Sequence, residues 1–143
     1  MDSTMSGTMA WNASEKAHTS EFVRVTVVDD NHAFVALLAD LLGDRFRVTG
    51  ILPRTITELA ATDPELVFVD VFIRNDDVLG GRVLIDLARR DPRLRDVPII
   101  LCTGAIGPDL DRLTQLPDVH LLAKPFDLDV LESTMRRAML ASA

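Results

Sequence analysis

The stretch that decides the fold is LVFVDV, residues 66–71, in which Asp70 interrupts an otherwise apolar run. A short run of β-branched and aromatic residues predicts a strand that is buried on both faces, as the strands of parallel sheets are. An acid inside such a strand is energetically unfavourable unless it is paired or binds something. Asp70 is therefore the first candidate for a functional residue.

The segments on both sides of this stretch alternate between strand and helix patterns. The strand patterns lie at residues 22–28, 45–52, 66–71, 97–103 and 119–123. The helix patterns lie at residues 31–43, 55–62 and 82–90, at a segment that starts at Pro108, and at residues 127–141. Five strand–helix units in about 120 residues predict an α/β fold with one doubly wound, five-stranded parallel sheet, and they are too few for an eight-stranded barrel.

Polar side chains stand where four of these strands end. Asp29 and Asp30 follow the first strand, Asp70 lies near the end of the third, Thr103 ends the fourth, and Lys124 follows the fifth. In an open α/β sheet, ligands bind at the carboxyl ends of the strands. We therefore expect three carboxylates, a hydroxyl and an ammonium group to meet at one edge of the sheet.

This combination of groups indicates magnesium-assisted phosphoryl chemistry. Three clustered carboxylates repel one another, and a hard divalent cation relieves that repulsion. Mg²⁺ typically takes one or two carboxylates and completes its shell with water and phosphate oxygens. A central carboxylate such as Asp70 can attack phosphorus to give an aspartyl phosphate, while a nearby cation shares the charge of the transferring group.

The balance of charges excludes some function classes. The 143 residues hold 15 lysines and arginines against 22 acids, for a net charge of −7. A protein that binds duplex nucleic acid or anionic lipid needs a basic face, so the composition argues against both partners. The single cysteine, Cys102, excludes a disulfide framework and a cysteine-based zinc site, and we expect it to be a small buried hydrophobe.

The two lysines contrast with the thirteen arginines, and only one of them, Lys124, lies outside the first 21 residues. A lysine offers a compact point charge, whereas an arginine offers a planar fork. On its own Lys124 would be read as a solvated surface residue. Its position after the fifth strand indicates instead that a compact cation is needed there.

In the first 21 residues, the apolar side chains recur at neither strand nor helix spacing. We interpret residues 1–21 as a flexible tail ahead of a domain at residues 22–143. The tail has neither the apolar core nor the basic leader of an export signal, so we expect a cytoplasmic protein.

Four short motifs at the predicted strand ends resemble those of the receiver domains of two-component response regulators, in particular the single-domain kind found in chemotaxis regulators. The motifs are VVDDN with Asp29 and Asp30, LVFVDV with Asp70, IILCTG with Thr103, and LLAKPF with Lys124, Pro125 and Phe126. Each motif alone is weak evidence, but all four in this order are a strong signal, and the resemblance covers about residues 22–141. The resemblance implies the flavodoxin-like strand order 2-1-3-4-5.

The resemblance also implies roles for the acids. Asp70 would accept a phosphoryl group from the phosphohistidine of a sensor histidine kinase or a histidine phosphotransfer protein. Mg²⁺ would be bound directly by Asp30, by Asp70 and by the backbone carbonyl of Phe72. Asp29 would act mainly through metal-bound water.

The remaining motif residues would respond to the phosphoryl group. By the same resemblance, Lys124 would pair with it, Thr103 would swing toward it, and the peptide bond between Lys124 and Pro125 would be cis. We expect no DNA-binding domain after the last predicted helix. We therefore expect the output to be a contact with a downstream protein, a phosphorelay step or homodimerisation.

Three features depart from the family's usual pattern. The loop at residues 71–81 is longer than usual and adds two acids, for which we expect solvated positions. Leu121 stands where the family often has an aromatic residue, which argues against an aromatic switch. Phe72 and Ala105 stand at the two positions that flank the route of the attacking water, and neither side chain can orient a water. We therefore predict slow self-dephosphorylation.

Two other functions stay open at this point. A small Mg²⁺-dependent phosphatase would also use Asp70 as its nucleophile, but such enzymes often carry a second acid where this chain has Phe72. A receiver-like interaction module that works without phosphorylation would be favoured by the loss of an acid or of the lysine, and the chain retains them all. We expect a signalling protein that catalyses only its own phosphorylation and slow dephosphorylation.

Overall fold

The computed structural model describes residues 22–73, 76–104 and 108–141. The predicted tail at residues 1–21, the residue Ala105 and part of the long loop lie outside these ranges. The strands are β1 (Val23–Val28), β2 (Phe46–Ile51), β3 (Leu66–Asp70), β4 (Ile99–Thr103) and β5 (Val119–Ala123). The helices are α1 (His32–Leu42), α2 (Ile56–Ala60), α3 (Gly81–Arg90), α4 (Pro108–Thr114) and α5 (Leu128–Ala141).

The five strands form one parallel sheet in the order β2-β1-β3-β4-β5. The predicted fold class and strand order are both confirmed. The central strand β3 is buried along Leu66, Val67, Phe68 and Val69, because side chains from both of its faces enter hydrophobic clusters. The decisive apolar run is therefore the middle of the molecule, and Asp70 is its last residue.

Two hydrophobic layers cover the sheet. On one face, α1 and α5 contribute Leu38, Leu42, Leu131, Met135 and Met139. On the other face, α2, α3 and α4 contribute Leu59, Leu84, Ile85, Leu110 and Leu113. The longest helix, α5, has 14 residues, and in the ranges that the structure describes no helix has the length and apolar character to cross a bilayer.

The ends of the helices follow local rules. The Asn31 side chain accepts a hydrogen bond from the backbone N–H of Phe34 and starts α1, and Gly43 ends it with φ at 80°, a backbone angle that favours glycine. The Asp127 side chain accepts from Val130 N at 2.9 Å and starts α5 as expected. Thr55 is the N-cap of α2 and not its first helical residue, so this helix begins one residue later than predicted.

The strands are slightly shorter than the sequence patterns indicate. The fourth begins at Ile99 and not at residue 97, because Val97 N donates to Leu94 O in the turn that precedes it. The third ends at Asp70, one residue before the end of the apolar run. These shifts leave the strand ends that carry the candidate side chains in place.

Candidate phosphoryl-transfer site

Three carboxylates meet at the carboxyl edge of the sheet. Asp29 and Asp30 directly follow β1, and Asp70 ends β3, which is the hydrogen-bonded neighbour of β1. One oxygen from each carboxylate lies within 4.8 Å of the other two. Asp29 is buried, Asp70 is half-buried and Asp30 is exposed, so the cluster opens toward solvent on one side.

The Lys124 ammonium reaches into this cluster from the far side of β4. Its Nζ donates to Asp29 Oδ2 at 3.1 Å and lies 3.9 Å from Asp70 Oδ2. The backbone N–H of Lys124 donates to Thr103 O at 2.8 Å, and the bond between Lys124 and Pro125 is cis, as the resemblance implies. The lysine is thus fixed at its backbone to β4 and at its ammonium to the acids.

Thr103 and Phe72 complete the set of residues singled out in the sequence. Thr103 is buried at the end of β4, where it pairs with Ala123 of β5. The backbone N–H of Phe72 donates to Asp70 Oδ1 at 3.0 Å, whereas the Phe72 ring is 44% exposed. The structure therefore brings the three acids and Lys124 together. Thr103 lies on β4, the strand next to β3, and the backbone of Phe72 is hydrogen-bonded to Asp70.

The pKa of the Asp70 carboxyl is raised above its ordinary value. Burial is the main cause; the hydrogen bond from Phe72 and the charge of Lys124 lower it, and the charges of Asp29 and Asp30 raise it. Desolvation and like charges both disfavour a second or third negative charge. The site therefore holds more negative charge than its own lysine compensates.

The donor set fits Mg²⁺. The cluster offers only carboxylate oxygens, which are the hard ligands that Mg²⁺ prefers, and no imidazole or thiolate that would favour zinc. Of the residues that the structure describes, no other group of three or more acids, histidines or cysteines has its ligand atoms this close together. An added cation would offset the repulsion among the three carboxylates.

The acids of the long loop and the residues at the start and middle of β5 stay outside the cluster. Asp76 and Asp77, the acids of the long loop, are exposed, as expected. Leu121 is exposed on β5, and the neighbouring His120 Nε2 lies 2.6 Å from Asp118 Oδ1. None of these residues belongs to the group of three carboxylates.

Sequence reasoning missed one contact of the site. The Lys124 Nζ lies 4.1 Å from the centroid of the Phe34 ring, which packs edge-on against Phe126 with 6.1 Å between the ring centroids. The helical spacing identified Phe34 only as part of the apolar face of α1. The one sequence signal was its place three residues after the Asn31 cap, which fixes it in the first turn beside the acids.

No family model matches the chain. The chemotaxis protein CheY4 of Vibrio cholerae matches with a TM-score of 0.68 at 20% identity, over 82% of this chain and 98% of that one. The signal receiver domain of a signal transduction histidine kinase from Syntrophus aciditrophicus matches with a TM-score of 0.68 at 23% identity, over 82% and 90%.

A longer protein matches as well. NtrX from Brucella abortus has a TM-score of 0.72 at 22% identity, over 85% of this chain but only 28% of that chain. Together these likenesses show that the chain has the receiver-domain fold.

Proposed function

We propose that residues 22–143 form a phosphoacceptor receiver domain whose phosphorylated residue is Asp70. The observation that carries the proposal is the position of the Lys124 ammonium, 3.1 Å from Asp29 and 3.9 Å from Asp70, beside a carboxylate cluster at the end of β3. A cation and a metal-ligating carboxylate pair around one strand-end carboxylate are the groups that phosphoryl transfer to that carboxylate requires.

The donor is the phosphohistidine of a sensor histidine kinase or a histidine phosphotransfer protein. An Asp70 carboxylate oxygen attacks the phosphorus in line, the new O–P bond replaces the P–N bond, and the bonding pair leaves on the imidazole nitrogen, which takes up a proton. The hydrogen bond from Phe72 N to Asp70 Oδ1 at 3.0 Å holds one carboxylate oxygen, and the other, Oδ2, lies on the Lys124 side as the attacking atom.

Asp30, Asp70 and the backbone carbonyl of Phe72 would hold Mg²⁺, with Asp29 close by, and the ion would supply charge neutralisation for the phosphoryl oxygens. Asp29 also holds the lysine: its Oδ2 accepts from Lys124 and its Oδ1 accepts from Asn31 N at 2.9 Å. Both of its oxygens are therefore engaged within the chain.

The phosphorylated state signals through a change of charge. The new phosphoryl oxygens compete with Asp29 for the Lys124 ammonium and attract the Thr103 hydroxyl. Because the backbone N–H of Lys124 donates a hydrogen bond to Thr103 O, a movement of one of these residues displaces the other. The surface formed by α4, β5 and α5 changes conformation when these two residues move. A downstream protein or a second copy of the chain recognises the changed surface.

The proposal places the protein in the cytoplasm, where the kinase domains that supply phosphohistidine act. The protein does not turn over external substrates, since the acyl phosphate formed on Asp70 is itself the signal. The acidic net charge of −7 supports protein partners over nucleic acid or membrane.

One labelling experiment separates this function from its rivals. The protein is incubated with a small radiolabelled phosphodonor such as acetyl phosphate, with Mg²⁺ or with a chelator, and Asp70→Asn is the control. A stable label that needs both Mg²⁺ and Asp70 supports the receiver. Catalytic release of phosphate from phosphate esters identifies a phosphatase, and the absence of both identifies an interaction module that works without phosphorylation.

A further inference from the structure

The Lys124 ammonium contacts both a carboxylate and an aromatic face. Its Nζ is 3.1 Å from Asp29 Oδ2 and 4.1 Å from the centroid of the Phe34 ring. An ammonium over a ring face is attracted by the negative face of the π-system, and the attraction grows as water is excluded. The ring therefore covers part of the ammonium, which also contacts Asp29.

One short segment supplies both of these contacts. Asn31 N donates to Asp29 Oδ1 at 2.9 Å, and the Asn31 side chain accepts from Phe34 N at 3.1 Å. The residue that caps α1 thus fixes the carboxylate on one side and the first helical turn on the other. The distance between Asp29 and the Phe34 ring is set within six residues of the chain.

The ring itself is held in place. It packs edge-on against Phe126 at an interplanar angle of 82°, and both rings lie against the hydrophobic cluster under α1 and α5. Phe126 follows Lys124 by two residues, so the segment after β5 contacts Phe34 twice. Rotation of the Phe34 ring away from Lys124 would also break its packing against Phe126.

We propose that Phe34 is a positioning residue that holds the Lys124 ammonium beside Asp29 and Asp70. The inference rests on the proposed function for its catalytic consequence, because the ammonium must be in place to meet the incoming phosphoryl group. Loss of the ring frees the lysine side chain to move into solvent, which slows phosphorylation of Asp70 without removing any group that touches the phosphoryl donor.

The position of the Lys124 ammonium can be measured by NMR in the unphosphorylated protein. The chain has two lysines, so selective ¹³C-lysine labelling gives an NMR spectrum with two sets of side-chain signals. The ring current of Phe34 should shift the Hε protons of Lys124 upfield of their position in the urea-unfolded chain. Phe34→Leu should remove that shift, and Phe34→Tyr, which keeps a ring, should retain it.

A matched control is available at the other end of β1. Arg47 Cζ lies 4.2 Å from the centroid of the Phe22 ring, so Phe22→Leu also removes a cation–ring contact but leaves the site alone. Phe22→Leu should leave the Lys124 signals unchanged. Urea denaturation of all three variants confirms that the proteins compared are folded.

The second measurement is the rate of Mg²⁺-dependent labelling by acetyl phosphate. Phe34→Leu should lower it by about three- to tenfold, the range expected for a lost cation–ring contact. Phe34→Tyr should restore most of the rate, and Phe22→Leu should match the wild type.

The outcomes separate the two proposals. An Hε shift of Lys124 that Phe34→Leu leaves unchanged, or a labelling rate that the same variant leaves unchanged, overturns the positioning role while the receiver function stands. A wild-type protein that takes no label overturns the proposed function, and the NMR shift then still decides whether Phe34 holds the lysine.

Discussion

The first residue of α3, Gly81, packs directly against the carbonyl group of Asp70. A Cβ atom built on Gly81 would lie 2.5 Å from Asp70 O and 2.8 Å from Val71 Cα, both far inside van der Waals contact. The neighbouring Gly80 has open space at the same position, with no atom within 4 Å. The backbone that carries the proposed phosphoacceptor is therefore shaped by one glycine of a Gly-Gly pair.

Gly81→Ala should disturb the end of β3, because backbone atoms must move to admit the methyl group. We expect a loss of about 1–3 kcal/mol in the free energy of unfolding. We also expect slower labelling of Asp70, since its carboxylate moves with its backbone. Urea denaturation and the labelling rate measure the two effects. Gly80→Ala is the control and should be close to wild type; equal behaviour of the two variants would refute the close packing.

Arg89 joins three segments at the opposite edge of the sheet. Its guanidinium donates to five backbone carbonyls at 2.6 to 3.3 Å, those of Leu94, Arg95, Val97, Pro117 and Asp118. These carbonyls belong to the turns that lead into β4 and β5. Burial lowers the pKa of the guanidinium from its ordinary value, yet the group stays protonated at neutral pH.

Arg89→Lys should destabilise the fold, because an ammonium cannot reach all five carbonyls and some lose their donor. We expect a loss of about 2–4 kcal/mol in the free energy of unfolding. Chemical denaturation followed by circular dichroism measures it. Arg90→Lys changes the adjacent, exposed arginine and should cost little. A similar loss of unfolding free energy in both variants would show that Arg89 has no special role.

The buried Cys102 thiol predicts a loss of stability in alkali. Burial, the largest cause, raises the pKa of this thiol to about 12 from an ordinary 9.0. The unfolded chain therefore releases the proton first, and stability falls as pH rises from about 9 toward 12, by up to about 1.4 kcal/mol per pH unit. The chain has no tyrosine, so few other groups titrate there.

Cys102→Ala should flatten this alkaline decline while leaving a folded protein at neutral pH. Urea titrations of both proteins between neutral pH and about pH 10.5 give the comparison. Parallel curves for the wild type and the variant would show that the thiol is not the group responsible.

The phosphorylated state should be long-lived. The Phe72 side chain is an apolar ring, so it offers no donor or acceptor to orient an attacking water. We expect the acyl phosphate to persist for minutes or longer in Mg²⁺ buffer after the donor is removed. Phe72→Gln, which introduces an amide beside Asp70, should speed the loss severalfold. Loss of the wild-type label within seconds would contradict the prediction.

The sequence was sufficient for the sheet and for the edge at which the candidate residues meet. Parallel strands bring their carboxyl ends to one edge, so residues such as Asp29 and Asp70 are placed together by the backbone alone. The apolar run of β3 predicted its central place for the same reason. Strand limits shifted by one or two residues where a turn, such as the one at Val97, took the backbone hydrogen bonds.

Contacts between distant side chains could not be read in this way. Phe34 and Lys124 are ninety positions apart, and their spacing in the chain says nothing of the distance from α1 to the segment after β5. Nothing in the sequence distinguishes Arg89 from the other arginines, because only the fold brings the five carbonyls around it. The tight packing of Gly81 likewise depends on how α3 docks against β3.

The measurement that tests the central claim most directly locates the phosphoryl group. The protein is phosphorylated with acetyl phosphate and Mg²⁺ and reduced with borohydride, which converts an aspartyl phosphate to homoserine, and its peptides are mapped by mass spectrometry. Asp70→Asn and the exposed loop variant Asp76→Asn are the controls. We predict homoserine at position 70 in the wild type and in Asp76→Asn, and none in Asp70→Asn or without Mg²⁺. Homoserine at position 29 or 30 of the wild type, or at no position, would contradict the account.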